Sequence, residues 1–415
     1  MKKVAIIGAG AAGCFCSIEL KRRLPDTEVD VLEALHKPLA KVAITGGGRC
    51  NLTNSFEGVR TIEEAYPRGG RLMKRLFRRF DHKDTWEWFE KEGVKLVLQE
   101  DNCVFPASQD AMEIVDLLLR RMRQEGVVLR TSSRVESITR SGSGYSICVK
   151  DKGSYDYDAV VVTTGGGTGE KGIRMLETLD IEHIPEVPSL FTFNISDRGL
   201  KELMGTVVEK ARVSLAGTKF TAQGPILVTH WGVSGPAVLK LSSYAARHLY
   251  DNRNKGKLLV NWMDSTEAEI RAELYRTATE QAKKMAANTH PEAIPARLWT
   301  HILAKTGIKP ETRWSEVGSK GMNRLVNTIL NDEYEITGKS KFRDEFVTCG
   351  GVALPELDQN TLESKKNPRL FFAGEATDVD AVTGGFNLQA AWTMGHVVAC
   401  SIAEAEMKDQ STLPG

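Results

Sequence analysis

The chain has 415 residues, of which 41% are apolar and 26% are charged, and its formal net charge is +1. This length exceeds what one hydrophobic core supports, so we expect two or three domains. The neutral charge gives no general attraction to nucleic acid or acidic lipid, and no run of about 18 apolar residues predicts a membrane span. The apolar start of the chain is interrupted by glycines, which is not the pattern of a secretory signal.

The seven cysteines are scattered and form neither a C-x-x-C pair nor a zinc-type spacing. We therefore predict no metal site. An odd number of scattered cysteines is typical of a reducing cytoplasm, where we place the protein. Cys14 and Cys16 lie two residues apart in a predicted helix and point to different faces, so we expect both to be packing residues.

The N-terminal stretch has the pattern of a dinucleotide-binding unit. The apolar run Val4–Ile7 leads into the glycines of a G-x-G-x-x-G motif, and a second apolar run ends at Glu33. Gly8 permits the tight turn, Gly10 lets the backbone approach a pyrophosphate, and Gly13 lets helix and strand pack closely. The helix N-terminus then faces the phosphates, and the carboxylate of Glu33 can hold two ribose hydroxyls.

A glycine-rich segment, Thr45–Asn54, comes next, and residues 70–92 have the period of one basic amphipathic helix. Its basic side is more typical of a solvated face than of an RNA-binding surface, because acids and tryptophans follow. Residues 111–125 predict another helix.

From residue 134 the apolar period changes to two, which predicts a β-meander. Its third strand, 154–164, contains a buried run that we expect to return to the parallel sheet. We expect this strand to deliver Thr163, Thr164, Gly165 and Gly166 to the cofactor edge. The predicted meander strands are 134–139, 145–150 and 154–164.

A strand-rich stretch, 191–262, interrupts this α/β pattern and is followed by a helical one. Thr266 and Glu269 form a capping box that opens helical residues to about 307, and another helix covers 319–330. The chain then returns to a strand at 369–372 and a last helix from about 386 to 406.

The C-terminal return carries a second ligand motif. The apolar run Leu370–Ala373 ends in Gly374 and Glu375, and a T-G-G-F-N sequence then opens the last helix. The N–H groups of Gly385–Leu388 would point out of the helix start, which suits the edge of an isoalloxazine ring that carries negative charge when reduced. A nucleotide motif at one end of the chain and a ring motif at the other predict FAD rather than NAD alone.

Four segments resemble the BaiN-like family of bacterial NAD(P)/FAD-dependent oxidoreductases, in the family's order. They are Thr45–Asn54, Val104–Ala111, Thr229–Pro236 and Gly350–Leu388. That family is similar to fumarate-reductase-type and glutathione-reductase-type FAD folds, and it includes an aminoacetone oxidase and reductases of unsaturated 3-oxo bile acids. The resemblance implies an α/β fold: an FAD-binding Rossmann-like domain with an inserted β-rich domain and a small helical domain.

The family resemblance and the strand-rich interruption at 191–262 together set the predicted domain boundaries. We place a discontinuous FAD-binding domain at 1–189 and 342–415. The inserted β-rich domain covers 190–265 and 331–341, and the small helical domain covers 266–330.

The candidate cofactor-binding residues follow from the motifs and the resemblance, which also implies a backbone contact from Val135 to adenine. We expect FAD to be bound without a covalent tether, so we interpret Cys50 as a packed thiol. The candidates are Gly8, Gly10, Ala12, Gly13, Glu33, Gly48, Arg49, Cys50, Asn51, Thr53, Val135, Thr164, Gly165, Gly374, Glu375, Asp380, Gly385, Phe386, Asn387 and Leu388.

The chain departs from the family after the returning strand. A Ser-Tyr-Pro sequence that family members usually carry there is absent, so the substrate assignment does not transfer. The same stretch forms a second G-x-G-x-x-G from Gly167 to Gly172, but Pro185 and Pro188 interrupt the strand that a nicotinamide site needs. We therefore expect NAD(P)H at most as a transient electron donor.

Two polar residues are candidates for chemistry. Arg49 binds pyrophosphate or ring in one interpretation and stabilises its loop through a salt bridge in the other. His230 is the candidate catalytic acid or base in one interpretation and a structural histidine in the other.

We expect a flavoenzyme that transfers a hydride between a small organic substrate and flavin N5. Amine oxidase and enone or steroid-type reductase both stay open. The alternative is an FAD-binding RNA-modification or RNA-associated protein, motivated by the arginine-rich residues 68–79, although nucleic acid is not the expected partner. The sequence predicts no oligomeric state.

Overall fold

The computed structural model describes residues 3–167, 174–339 and 347–411. It divides the chain into two compact units, the first made of Met1–Val187 and Val347–Gly415 and the second of Pro188–Phe346. A separate helical domain at 266–330 stays a prediction. The second glycine motif, Gly167 to Gly172, lies outside the described residues beyond Gly167. Among the described helices, none has the length and apolar character that crossing a membrane requires.

Strands occur in both units. In chain order they are β1 (Lys3–Ile7), β2 (Glu28–Leu32), β3 (Thr53–Asn54), β4 (Leu96–Leu98), β5 (Cys103–Pro106), β6 (Val128–Arg130), β7 (Val135–Ser141), β8 (Gly144–Val149), β9 (Gly153–Tyr157), β10 (Ala159–Val162), β11 (His183–Ser189), β12 (Phe193–Ile195), β13 (Val207–Leu215), β14 (Thr221–Val228), β15 (Gly232–Ser234), β16 (Gly256–Asn261), β17 (Asp332–Lys339), β18 (Val347–Val352) and β19 (Leu370–Phe372).

The α-helices are likewise spread over both units. They are α1 (Ala11–Arg23), α2 (Ala40–Gly48), α3 (Ile62–Ala65), α4 (Gly70–Leu76), α5 (His82–Lys91), α6 (Ala111–Gln124), α7 (Arg198–Glu202), α8 (Pro236–Tyr244), α9 (Ala246–Asp251), α10 (Glu267–Glu280), α11 (Ala296–Thr306), α12 (Gly318–Leu330) and α13 (Phe386–Ser411).

The first unit is built on a parallel sheet in the order β19-β10-β1-β2-β6. Strand β10 and residues Val4–Ile7 of β1 are apolar and buried, which is typical of a parallel sheet that helices cover. Helices α1 and α13 pack so closely that a Cβ on Gly395 would lie 2.8 Å from the carbonyl oxygen of Ala12. The predicted α/β Rossmann-like class is confirmed.

The predicted meander is confirmed as the antiparallel sheet β7-β8-β9. Its third strand is wrong as a single element, because β9 ends at Tyr157 and β10 begins at Ala159 in the parallel sheet. The chain turns at Asp158, whose N–H donates to the carbonyl of Lys3 at 2.9 Å and whose carboxylate accepts from the N–H of Lys3 at 2.9 Å.

The single basic helix predicted at 70–92 is also wrong, since α4 ends at Leu76 and α5 begins at His82. Asp81 caps α5 and forms a capping box with Asp84, which starts a new helix at this point. The helical stretch after residue 266 is likewise split, into α10 and α11, while the capping box predicted at its start is confirmed.

The second unit contains a closed barrel in the order β12-β15-β14-β13-β16-β17. Helices α8 and α10–α12 contribute to the same apolar core as the barrel. A Cβ on Gly232 would lie 2.3 Å from the carbonyl oxygen of Phe193, and one on Gly235 would lie 2.7 Å from that of Pro225. Barrel packing therefore explains both glycines of the Thr229–Pro236 motif.

Candidate functional site

Four strands of the first unit end in a single row. The last residues of these strands pair with one another in register, and they are Leu32, Ile7, Val162 and Phe372. The residues that directly follow the row are Glu33, Gly8, Thr163 and Ala373. Ligands of open parallel sheets bind beyond the carboxyl ends of the strands. The N-terminal glycine motif and the C-terminal return therefore meet at one edge, which we call the strand-end edge.

The three motif glycines differ in what surrounds them. A Cβ on Gly8 would lie 2.5 Å from the carbonyl oxygen of Thr163, and one on Gly13 would lie 2.1 Å from that of Gly8. Packing of the protein thus requires these two glycines. A Cβ on Gly10 would meet nothing within 4 Å. Gly10 is the N-cap of α1 and provides no side-chain cap. The first N–H groups of the helix therefore face open space.

Glu33 lies beside this turn. Its carboxylate accepts the N–H of Ala9 at 2.8 Å and the N–H of Leu35 at 2.8 Å. These bonds orient the carboxylate, and each of its oxygens keeps a second acceptor site for a sugar hydroxyl. The carbonyl of Glu33 also accepts the N–H of Ser133 at 2.7 Å, which holds the start of β7, and hence Val135, near Glu33.

Thr163, which the sequence analysis places at the cofactor edge, forms hydrogen bonds that the sequence did not predict. Its hydroxyl donates to the carbonyls of Ile7 and Gly8 at 3.0 and 2.9 Å, so it ties the end of β10 to the glycine turn. Thr164 is exposed at the same edge, and Gly165 is half-buried with a positive φ of 72°. The bonds of the Thr163 hydroxyl have no local sequence signal, because they depend on the pairing of β1 with β10.

Gly374 links the C-terminal return to the N-terminal motif. It has a φ of 68°, and a Cβ on it would lie 3.1 Å from the Cβ of Ala12. The carboxylate of Glu375 pairs with the ammonium group of Lys41 at 2.9 Å, and the N–H groups of Gly166 and Thr348 lie at 3.4 Å from it. Lys41 is exposed and was not predicted, since ion pairs between remote segments leave no local pattern.

Glu186 is a second residue that the sequence analysis missed. Burial raises the pKa of its carboxyl group to about 7; the N–H of Gly167 and the charge of Lys41 oppose this shift, and the charge of Glu375 reinforces it. One of its oxygens is buried without a hydrogen-bond partner. Glu186 is therefore a carboxyl group that gains or loses a proton near neutral pH beside the strand-end edge.

The last residues of α2, Thr45–Gly48, form a glycine-rich loop and not a regular helix. Thr45 is extended, and Gly46 and Gly47 have φ of 57° and 70°, so the chain leaves the helix before Gly48. A Cβ on Gly47 or Gly48 would meet nothing within 4 Å, as at Gly10. This loop therefore offers a second stretch of accessible backbone.

Arg49 follows the loop with an exposed side chain. Its guanidinium lies 4.4 Å from the centre of the Phe105 ring, and it donates to the carbonyl of Gly46 at 3.1 Å. The contacts of Arg49 with the Phe105 ring and with the carbonyl of Gly46 therefore stabilise the loop. Binding of pyrophosphate or ring by Arg49 stays a prediction.

Asn51 and Thr53 contact the start of α13. With its amide oriented to satisfy both neighbours, Asn51 accepts the N–H of Gly385 at 3.2 Å and donates to the carbonyl of Thr53 at 3.1 Å. A Cβ on Gly385 would lie 2.3 Å from that carbonyl oxygen. The hydroxyl of Thr53 donates to the side chain of Gln389. The structure thus brings these predicted residues together.

The first turn of α13 is held by side chains of the protein. The amide of Asn387 accepts the N–H of Ala381 at 2.9 Å and donates to the carbonyl of Ala381 at 3.0 Å. The hydroxyl of Tyr66 donates to the carbonyl of Phe386 at 2.8 Å. Leu388 is half-buried in the same turn.

Asp380 forms a bidentate ion pair with Arg68. Its side chain is 1% exposed and that of Arg68 is 12% exposed. This buried pair fixes the loop before α13, so one of the arginines that motivated an RNA-binding surface has a structural role.

Cys50 is fully buried. Burial raises the pKa of its thiol to about 12, although a contact with Thr45 opposes the shift. A buried neutral thiol is a weak nucleophile, which supports its interpretation as a packed residue.

His230 lies in the second unit, at the turn between β14 and β15, and is exposed. Its ring meets the ring of Trp231 edge to face at 4.5 Å. Its catalytic role stays a prediction.

The open glycines provide a test of whether FAD fits the first unit. Gly10, Gly47 and Gly48 border space in which an added Cβ would meet no protein atom within 4 Å, and two strand ends lie between Glu33 and Gly374. An elongated dinucleotide needs accessible backbone near its phosphates and a carboxylate near its ribose. The residues present fit this requirement.

Comparisons with known proteins cover nearly the whole chain. A family model described as the HI0933-like protein Rossmann domain matches residues 2–401. The 3-dehydro-bile acid delta(4,6)-reductase of Clostridium scindens is 26% identical over 413 residues, which cover 97% of this chain and 100% of the relative. The ribosomal RNA dihydrouridine synthase of Escherichia coli is 29% identical over 415 residues, which cover 97% and 98%. The quinol fumarate reductase FrdA of E. coli has a TM-score of 0.48 and 14% identity, over 100% of this chain and 72% of that one.

Proposed function

We propose that this chain, which belongs to the HI0933-like Rossmann family, reduces a carbon–carbon double bond conjugated to a carbonyl group. The full-length match confirms the resemblance to the BaiN-like family, and the chain is an FAD-dependent oxidoreductase by membership. Its substrate, its electron donor and the residues that bind FAD are proposals.

The reaction class is supported by the names of two full-length relatives. A 3-dehydro-bile acid delta(4,6)-reductase acts on double bonds conjugated to a ketone, and a dihydrouridine synthase acts on the double bond conjugated to a carbonyl of uracil. Their substrates differ greatly in size, but in both the β-carbon is electrophilic and accepts a hydride. This shared chemistry carries the proposal.

The strand-end edge supplies the binding groups. The start of α1 and Gly10 would hold the pyrophosphate, Glu33 would hold the ribose, and the loops at Gly48 and Gly385 would border the rest of the cofactor. When bound, FAD supplies a hydride donor and acceptor.

The chain itself must supply a proton. Reduction of a conjugated double bond places a hydride on one carbon and a proton on the other. A carboxyl group with a pKa of about 7 is protonated in a useful fraction of molecules at neutral pH. Glu186 has this property, so it is our candidate proton donor, and His230 is a second candidate.

The test separates the two half-reactions. The FAD-loaded protein is photoreduced without air, which requires no nicotinamide, and is mixed with a 3-oxo-4-ene steroid, with its saturated analogue, with uridine-containing ribosomal RNA, or with a small primary amine. We expect the unsaturated steroid or the RNA to reoxidise the flavin and to gain two hydrogens by mass, while the saturated analogue does not react.

A parallel experiment, in which the oxidised FAD-loaded protein is mixed with the small primary amine in air, can contradict the proposal. If no conjugated double bond reoxidises the flavin, and a small amine reduces the oxidised flavin with release of peroxide in air, the chain is an amine oxidase. Reoxidation by the steroid but not by the RNA, or the reverse, decides between a small-molecule and an RNA substrate.

A further inference from the structure

A second cluster of titratable side chains lies in the first unit, away from the strand-end edge. It joins the second half of α1 to the middle of α13 and consists of Glu19, Arg23, His396 and Cys400. Because a helix rises about 1.5 Å per residue, Cys400 lies about 20 Å along α13 from its first residue, Phe386. We call this set the thiol cluster.

The imidazole of His396 lies between a carboxylate and a thiol. Its Nδ1 is 3.0 Å from Oε2 of Glu19, and its Nε2 is 3.3 Å from Sγ of Cys400. His396 and Cys400 are four residues apart on α13, so they share one face of the helix. The ring of Phe80 stacks on the imidazole with centroids 4.4 Å apart, which fixes its plane.

The carboxylate of Glu19, which lies on the other side of the imidazole from the thiol, is stabilised as an anion. Glu19 accepts the indole N–H of Trp88 at 3.0 Å and a guanidinium N–H of Arg23 at 2.7 Å. Burial raises the pKa of Glu19, but the bonds from His396, Arg23 and Trp88 outweigh it and lower the pKa to about 2. Glu19 is therefore an anion at neutral pH.

That charge favours the protonated imidazole. Burial lowers the pKa of His396, but the contacts with Cys400 and Glu19 outweigh burial, so the pKa lies above its usual value. In the imidazolium form both ring nitrogens donate, one to the carboxylate and one to the sulfur.

Charged groups on α1, on α13 and between α4 and α5 act on the ionisation of Cys400. Burial raises the pKa of its thiol, but the bond and charge of His396 and the charges of Arg23 and Arg79 outweigh it, so the pKa lies below its usual value. Glu404, on the same helix, forms an ion pair with Arg79. From α1, Cys16 is fully buried and burial raises its pKa, so it stays a neutral thiol.

The arrangement is suited to nucleophilic chemistry and not to metal binding. The carboxylate, imidazole and thiol lie in a line with the imidazole in the middle, whereas metal ligands converge on one point. Among the described residues no group of His, Cys, Asp and Glu could hold a metal ion. Cys400 is half-buried, so part of the residue is exposed to solvent.

We propose that Cys400 is a reactive thiolate that takes up small disulfides, and that it is the thiol-modification site of this chain. The thiolate attacks one sulfur of the disulfide, the reagent's S–S bond breaks, and the other half leaves as a thiolate. One S–S bond replaces another, Cys400 is oxidised, the reagent is reduced, and no further oxidant is required. Because Cys16 stays neutral and buried, it does not resolve the mixed disulfide, so the adduct persists.

The test uses the FAD-loaded full-length protein and an aromatic disulfide that releases a coloured thiolate. We expect one fast-reacting thiol, and its rate should follow an apparent pKa below the 8.5 or so of an ordinary cysteine. Incubation with oxidised glutathione should add one glutathione by intact mass, and peptide mapping should place it on α13. The fast phase should vanish in Cys400→Ser.

Two variants control this result. Cys148→Ser removes the other half-buried cysteine of the described residues, on β8, and should leave the fast phase unchanged. His396→Gln should slow the reaction about tenfold at pH 7, since a rise of one unit in pKa lowers the thiolate fraction about tenfold. A purely structural histidine would not move the pH profile of the rate.

The proposal is overturned if the fast phase survives in Cys400→Ser. It is also overturned if the unmodified protein shows only slow thiols with an ordinary apparent pKa. The second outcome depends on no variant, so it holds even if a variant fails to fold.

Discussion

The two ends of the candidate FAD site differ in how much of their polar surface the protein itself uses. At the N-terminal end Gly10 borders open space, and α1 begins without a side-chain cap. At the C-terminal end the N–H of Gly385, the amide of Asn387 and the carboxylate of Asp380 are all engaged by other parts of the chain. Glycine-rich motifs of similar appearance therefore have different physical roles. The N-terminal motif leaves backbone N–H groups accessible, and the C-terminal motif shapes a loop.

The strongest test compares Gly13→Ala with Gly10→Ala. The added Cβ of the first would lie 2.1 Å from the carbonyl oxygen of Gly8, so we expect a loss of about 3 kcal/mol or more in the free energy of unfolding. The added Cβ of the second meets no protein atom, so stability without FAD should change by less than about 1 kcal/mol. FAD affinity of Gly10→Ala should fall about 10- to 100-fold, because a methyl group in the ligand's path costs roughly 1–3 kcal/mol.

Chemical denaturation of the FAD-free variants and titration with FAD measure these two effects. If Gly10→Ala binds FAD like the unmodified protein, the open space beside Gly10 is not the pyrophosphate site.

Arg68→Met tests the structural role of the C-terminal end. It removes the guanidinium that pairs with a nearly fully buried carboxylate, so we expect a loss of about 3 kcal/mol in stability. The matched control is Arg71→Met, on the exposed face of α4, which should change stability by less than about 0.5 kcal/mol. Equal denaturation midpoints for the two variants would contradict the structural role of Arg68.

Glu33→Gln tests the N-terminal end with a smaller change. The amide keeps the shape of the side chain but loses the charge that strengthens a bond to a ribose hydroxyl, so FAD affinity should fall about tenfold. Glu28→Gln, at the other end of β2, is exposed and should leave affinity unchanged. Isothermal titration with FAD compares them, and equal affinities would remove Glu33 from the site.

Glu186→Gln gives the smallest effect and depends on pH. The pKa of this carboxyl group is raised from 4.5 to about 7, so between these values the folded state binds more protons than the unfolded state. Stability of the unmodified protein therefore falls as pH rises through this window. The variant lacks this loss and should be more stable by about 1 kcal/mol at pH 8, after allowance for partial exposure, with the difference gone at pH 4. Glu182→Gln, an exposed carboxylate near it in sequence, should show no such dependence.

Local patterns predicted the parts of the site that depend on local geometry. The glycine turn, the strand before it and the start of α13 are set by residues close together in sequence, and so is the capping box at Thr266. The split of the basic helix was also readable, since Asp81 and Asp84 form a capping box. That signal was overlooked because the apolar period continues across the break.

Long-range pairing set the parts that sequence could not predict. Lys41 meets Glu375, Arg68 meets Asp380, and Thr163 ties β10 to the glycine turn. Nothing in the flanking residues encodes such partners. The ionisation of Glu186 is equally invisible in sequence, because burial by remote segments causes it.

The row of strand ends has a consequence for the order in which the protein is made. β19 and α13 supply one end of the row and the helix that packs on α1, and they lie more than 350 residues after the glycine turn. At a synthesis rate of roughly 5–20 residues per second, more than about 15 seconds pass between the glycine turn and the start of α13. During this time the β10 edge of the nascent sheet lacks its β19 partner, and the strand-end edge is complete only once β19 and α13 have been synthesised.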